Sequence, residues 1–125
     1  MGDDKKNSGK GDKRKKIDRL KDFIVECLKE DKAEDVKIIS LEGKTDFAYY
    51  MVVATGRSSR HVISIADKLA DKLIKEGVRG INIEGKAQGD WVLIDAFDIV
   101  IHIFRSEVRE MYNIEKIWEF DILAP

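Results

Sequence analysis

Trp91, Asp95, Asp98 and His102 are the side chains whose types and spacing could act together. An indole among carboxylates suits a basic partner, and two carboxylates can hold a divalent cation for phosphoryl chemistry. Alternation decides whether they meet. If Asp95-Ala96-Phe97-Asp98 closes an antiparallel hairpin, Asp95 pairs with Asp98, Leu93 with Val100 and Trp91 with His102, and paired residues share a face. Val92, Ile94, Ile99, Ile101 and Ile103 then line the opposite face, which is uniformly apolar and must be core. The first face carries Trp91, Leu93, Asp95, Asp98, Val100 and His102, too polar for an unmodified core. It calls for a cover: a helix, a partner or a substrate. The turn is the weak point, because neither Ala96 nor Phe97 readily takes the positive φ of a two-residue hairpin loop. Each residue also has a structural role open to it: Trp91 as a half-buried sheet residue, the two Asp as turn formers, His102 as a hydrogen-bonded support.

Other candidates are weaker. Gly56-Arg57-Ser58-Ser59-Arg60 could cradle phosphate at a helix N-terminus. It lacks the phosphate-loop lysine pattern and the dinucleotide glycine fingerprint, so a capping turn is the simpler reading. Cys27 and His61 lie far apart with no ligand spacing, which speaks against a metal site. No Ser or Cys nucleophile sits in a recognisable motif.

The elements that must position these residues follow from periodicity. Ile17, Leu20, Phe23, Ile24, Cys27 and Leu28 recur at helical spacing and predict an amphipathic helix over 17–30. Residues 36–41 (VKIISL) and 49–54 (YYMVVA) read as strands, the second apolar enough to be buried on both faces. Ser58 or Ser59 can cap a helix whose stripe is Val62, Ile65, Ala66, Leu69, Leu73 and Ile74, with Gly77 to stop it. Strands follow at 81–83, 91–95 and 98–104. A last helix over 106–118 is capped by Ser106, has Glu107 in its first turn and breaks near Asn113. The order αββαβββα predicts an α/β fold, a single domain with a mixed β-sheet flanked by helices.

Composition agrees. The chain has 125 residues, 43% hydrophobic and 38% charged, with one proline and one cysteine. That is enough to bury a core without cross-links, and a lone cysteine points to a reducing compartment. No apolar run reaches membrane-spanning length. The net charge of −1 conceals a division. Residues 1–16 hold seven Lys/Arg against three Asp, whereas 17–125 hold 16 basic and 21 acidic residues. The expected domains are a basic disordered tail, 1–16, which either merely solubilises the chain or is loosely attracted to RNA phosphates, and a folded domain, 17–125.

Three ordered blocks carry a resemblance. Residues 54–62 (ATGRSSRHV), continuing through Ile65-Ala66-Asp67, are similar to the first signature of the ribosomal silencing factor (Iojap-like) family. Glu84-Gly85 with Asp90-Trp91-Val92-Leu93-Ile94-Asp95 resembles its second. Residues 98–104 (DIVIHIF) with Glu107, Arg109, Tyr112, Glu115 and Trp118 resemble its third. The match runs in register over roughly residues 20–118. It implies a nucleotidyltransferase-like fold without that superfamily's catalysis and without a cofactor, so not an enzyme. It also implies binding to the large ribosomal subunit through its fourteenth ribosomal protein, which sterically blocks subunit joining and represses translation. A cytoplasmic location and a homodimer in isolation belong to the same expectation. The family's docking tryptophan matches Trp91 and its acidic positions match Asp90, Asp95 and Asp98. On that reading His102 and Tyr112 add peripheral contacts, and the acidic domain suits a basic partner. Two positions depart from the family pattern: Tyr49 stands where an Asp is usual, and Phe97 where a Gly is usual. An enzyme of the nucleotidyltransferase class using Asp95 and Asp98, and an RNA-binding adaptor using the tail, are the alternative readings.

Overall fold

The structure, a computed structural model, describes residues 2–119, with side chains for 11–118. Residues 120–125 of the domain expected from sequence lie outside the described residues. The elements run α1 (Gly2–Glu30), β1 (Glu34–Ser40), β2 (Tyr50–Gly56), α2 (Ser59–Lys75), β3 (Asn82–Glu84), β4 (Trp91–Asp95), β5 (Ile99–Arg105), α3 (Ser106–Tyr112) and α4 (Ile114–Glu119). The five strands form one sheet in the order β1-β2-β5-β4-β3. Only β2 and β5 pair in parallel; the other neighbours are antiparallel. The expected architecture, one mixed sheet flanked by helices, is what the chain adopts.

Helices α1 and α2 seal one face. The α1 residues Ile17, Ile24, Cys27 and Leu28 and the α2 residues Val62, Ile65, Ala66, Leu69 and Leu73 bury against Val52, Ala54, Val92, Ile94, Ile99, Ile101 and Ile103. Ser58 caps α2, its hydroxyl accepting from the backbone N–H of His61 at 3.1 Å. Gly77 ends α2 at φ 91°. Its N–H donates to the Ile74 carbonyl and that of Val78 to Leu73. Ile74, expected in the apolar stripe, is 61% exposed, because it falls at the edge of the contact arc.

Two local expectations need correction, in the hairpin register and at the start of α3. The helical backbone of α1 runs back to Gly2. A helix nucleated by the buried stripe from Ile17 extends upstream at the cost of fixing one residue per added bond. The hairpin register is shifted by two: Trp91 pairs with Phe104, Leu93 with His102 and Asp95 with Val100. Phe97-Asp98 forms the loop, with Phe97 at φ 67°. The Asp95 carboxylate holds that conformation by accepting from the Phe97 N–H at 2.9 Å. Because the shift is even, every side chain keeps its expected face, except that Asp98 leaves the ladder for the turn. Ser106, expected as a cap, is the first residue of α3. The capping position falls to Arg105, with no side-chain bond.

Candidate functional site

The second face of the sheet is covered unevenly. Val108, Ile114 and Trp118 of α3 and α4 lie over Ile39, Leu41, Ala48, Met51, Val53, Val100 and Phe104. They reach β1, β2 and β5 and stop short of full cover on β4, where Trp91 and Leu93 stay half-buried. Arg109 holds this cover in place. Its guanidinium donates to Glu115 at 2.6 and 3.1 Å, to the Thr55 hydroxyl at 2.8 Å and to the Asp35 carbonyl at 2.7 Å. Those bonds hold the Glu115 carboxyl below its ordinary range. Asn113, left-handed at φ 48°, turns the chain from α3 into α4. The result lays Tyr112 beside Trp91.

The indole is fixed rather than free. Its Nε1–H donates to His102 Nδ1 at 2.9 Å. Its ring lies 4.8 Å from Phe104, 5.0 Å from Tyr112 and 5.8 Å from His102 between centroids. A nitrogen that accepts must be unprotonated, so His102 is the neutral tautomer carrying its hydrogen on Nε2. Burial pushes its pKa down from 6.5 to about 4, which keeps it neutral at physiological pH. Beside the indole, Glu84, Gly85, Trp91 and Leu93 line an open hollow of about 370 Å³. Gly85 stands at φ 90°, and a Cβ there would overlap the Trp91 carbonyl oxygen, so only glycine lets the preceding loop pass so close.

The acidic positions are arranged differently from one another. Asp90 Oδ1 accepts from Arg105 Nε at 2.9 Å and from the Ser59 hydroxyl at 3.4 Å. Its backbone carbonyl also accepts from the Arg105 N–H. Asp90 thereby ties the start of β4 to the end of β5 and to α2. Asp95 is exposed and shapes the turn. Its distance from Trp91 along the strand is about 13 Å, four residues of extended chain. Asp98 is half-buried in the turn, and its carbonyl accepts from the N–H groups of Tyr49 and Tyr50. The structure thus gathers Trp91, His102 and Tyr112 into one cluster, puts Asp90 and Asp95 at the two ends of β4, and leaves Asp98 apart. Sequence reasoning missed Phe104 and Glu84. Alternation carried one step past His102 would have found Phe104. Glu84 had no such signal, because the β3–β4 register that sets it opposite Leu93 is not written in either strand.

The Gly56–Arg60 turn is used up in capping. His61 Nδ1 accepts from the Arg57 N–H at 3.0 Å and its other ring nitrogen faces the Asp31 carbonyl at 3.0 Å. Among the described residues, no three His, Cys, Asp or Glu side chains gather where they could hold a metal ion. Among them, too, no helix is long and apolar enough to cross a membrane.

Known proteins resemble this one over most of its length. The family described as "Ribosomal silencing factor during starvation" matches residues 14–122. A protein of Zymomonas mobilis named ribosomal silencing factor RsfS is 47% identical over 98 residues, 78% of this chain and 74% of that one. A mouse protein named for mitochondrial assembly of the ribosomal large subunit is 31% identical over 100 residues, 78% of this chain and 44% of that one. A crystal structure of a Chromobacterium violaceum protein superposes with a TM-score of 0.80 at 34% identity, covering 87% of this chain and 89% of that one. Neither relative's name denotes an enzymatic activity. With the match spanning both helices of the sealed face, all five strands and the Trp91 cluster, the chain belongs to the ribosomal silencing factor family.

Proposed function

We propose that this chain represses translation by docking on the large ribosomal subunit through that subunit's fourteenth ribosomal protein, where it sterically prevents subunit joining. The observation that carries the reading is Trp91. It is a half-buried indole on an incompletely covered sheet face, locked by His102 and flanked by Phe104 and Tyr112. A large, rigid aromatic group beside an open hollow loses little conformational entropy when a partner covers it, which is why such residues anchor interfaces. Glu84 lines the hollow beside it, with Asp90 and Asp95 at the two ends of its strand, and acidic groups so placed steer a basic ribosomal protein into register. Asp90 contributes less free charge than its position suggests, since Arg105 already holds it. Attraction of the basic N-terminal stretch to ribosomal RNA phosphates accompanies the docking. The name of the mouse relative, which refers to the large subunit, supports the choice of subunit.

Sedimentation with purified subunits tests this. The wild-type protein should travel with free large subunits and deplete joined ribosomes. Trp91→Glu should weaken binding by at least about 2 kcal/mol, roughly thirtyfold, while the domain still melts cooperatively. Co-sedimentation of a folded Trp91→Glu variant at wild-type strength would remove this face from the mechanism.

A further inference from the structure

The two faces of the sheet differ in charge as well as cover. On the sealed side, the upstream part of α1 turns Lys13, Lys15, Lys16 and Arg19 to solvent. Lys15 and Arg19 are four apart and Lys16 adjoins them, so they form one patch opposite the buried Ile17 and Ile24. The acidic residue within that turn is occupied: Asp18 accepts from the Tyr50 hydroxyl at 2.6 Å and pairs with Arg14 at 3.7 Å. Arg14 in turn bonds Glu42 at 2.9 Å. Among the described residues, Lys13, Lys15, Lys16 and Arg19 have no ionic or hydrogen-bonding partner. Asp12 upstream, Asp22 one turn beyond Arg19 and paired with Lys21, and Glu76 at the rim are nearby acids. Lys16 and Arg19 border an open hollow of about 370 Å³ floored by Leu20 and Phe23.

We infer that this α1 patch is a binding surface for an RNA strand, with Lys13, Lys15, Lys16 and Arg19 on its phosphates and the Phe23 hollow beneath its bases. Three features favour RNA over an acidic protein. The four cations follow one another along consecutive turns of one helix and outnumber Asp12 and Asp22, the exposed acids at the two ends of that face, so they present the line of positive charge that a repeating phosphate chain suits. The hollow beside them offers an aromatic and an aliphatic side chain, the chemistry on which bases stack. The remainder of the domain carries a net negative charge, which on average disfavours a polyanion there and favours this patch. The patch lies across the sheet from Trp91, so both surfaces can be occupied at once, and two weak contacts on one particle reinforce each other. The inference deepens the ribosome-docking reading, which supplies the source of the RNA. It replaces diffuse attraction by a tail with a defined helix surface.

The test uses the full chain and a fluorescein-labelled oligouridylate followed by fluorescence anisotropy, without ribosomes. Binding should weaken with salt at a slope of about −2 or steeper in a double-logarithmic plot, the release expected for three or more phosphate contacts on a single strand. Exchanging Lys15→Glu, Lys16→Glu and Arg19→Glu together should weaken it at least about tenfold and flatten that slope. The neutral exchange of the same three residues to Gln should give a smaller loss in the same direction. Thermal melting checks that both variants fold. Trp91→Glu should bind the oligouridylate as wild type does, so failure of the sedimentation experiment leaves this result standing, and the reverse. The inference is overturned if the triple variants bind unchanged, if the affinity follows Lys5, Lys6 and Lys10 instead, or if phosphatidylserine vesicles bind as tightly as the RNA at equal salt.

Discussion

The two faces of one sheet meet opposite fates in this molecule. On the α1–α2 side, Val92, Ile94, Ile99, Ile101 and Ile103 are all completely buried. On the α3–α4 side the residues between them in sequence, Trp91, Leu93 and Asp95, run from half-buried to exposed. Adjacent residues of one strand therefore do unlike work, since successive side chains point to opposite faces. The first face is long-helix cover over aliphatic side chains and serves stability. The second has two short helices held by Arg109, and what they leave open is an aromatic cluster. Stability and docking are separated by the pleat of β4, while on β5 the second-face residues Val100, His102 and Phe104 are buried too.

The comparison can be broken by exchanging equivalent positions. Ile101→Ala, on the sealed face, should cost about 4 kcal/mol in urea denaturation, the usual loss for a fully buried aliphatic side chain. Leu93→Ala, on the open face, should cost about 1 kcal/mol or less. Equal losses would mean that the open face is core as well.

The second prediction concerns pH. His102 has a folded-state pKa of about 4 against 6.5 when unfolded. A depressed histidine favours the fold while neutral, so its contribution is full above pH 6.5. As pH falls from 6.5 towards 4 the unfolded chain takes up the proton first, and roughly 3 kcal/mol is lost across that window. Below pH 4 the folded protein is protonated too and the loss levels off. In His102→Gln, whose amide oxygen can still accept from the indole but cannot titrate, the part of the pH dependence between 6.5 and 4 that is due to this residue should vanish. A variant with the wild-type profile would show that another group is responsible.

The smallest effect sharpens the boundary between the faces at the hairpin tip. Phe97 is 61% exposed and holds a left-handed φ of 67°. Phe97→Gly should raise stability by less than about 1 kcal/mol, because relief of backbone strain is partly offset by the lost contact of the ring with Gly80. A clear loss of stability would mean that the ring, rather than the backbone, matters at that turn.

Much of this was legible because it depends on local periodicity. The Val62–Leu73 stripe, the Ser58 cap, the Asn113 break and the division of faces along β4 and β5 follow from spacing within a dozen or so residues. The division survived a wrong register because an error of two residues preserves parity. The turn itself was misplaced, since the favoured loop residues are absent and Asp95, a side chain outside the loop, supplies the bond that holds Phe97. Asp90 was expected at the partner because it matches an acidic docking position of the family, and such a match does not report what opposes the side chain. Its ion pair comes from Arg105, brought beside it by strand pairing.

The sequence by itself determined which side chains alternate towards a core and which do not, because a pleat of period two leaves no choice once a strand is granted. It also determined that residues 17–125 are acidic and 1–16 basic, and that the motifs are those of the ribosomal silencing factors. Only the tertiary structure decided how far α3 and α4 reach across the second face, and so whether the indole is sealed or open. That reach is set by Arg109 joining Thr55, Asp35 and Glu115, groups up to 74 positions apart in sequence. Bonds between distant parts of a chain depend on the whole fold, which no local spacing encodes.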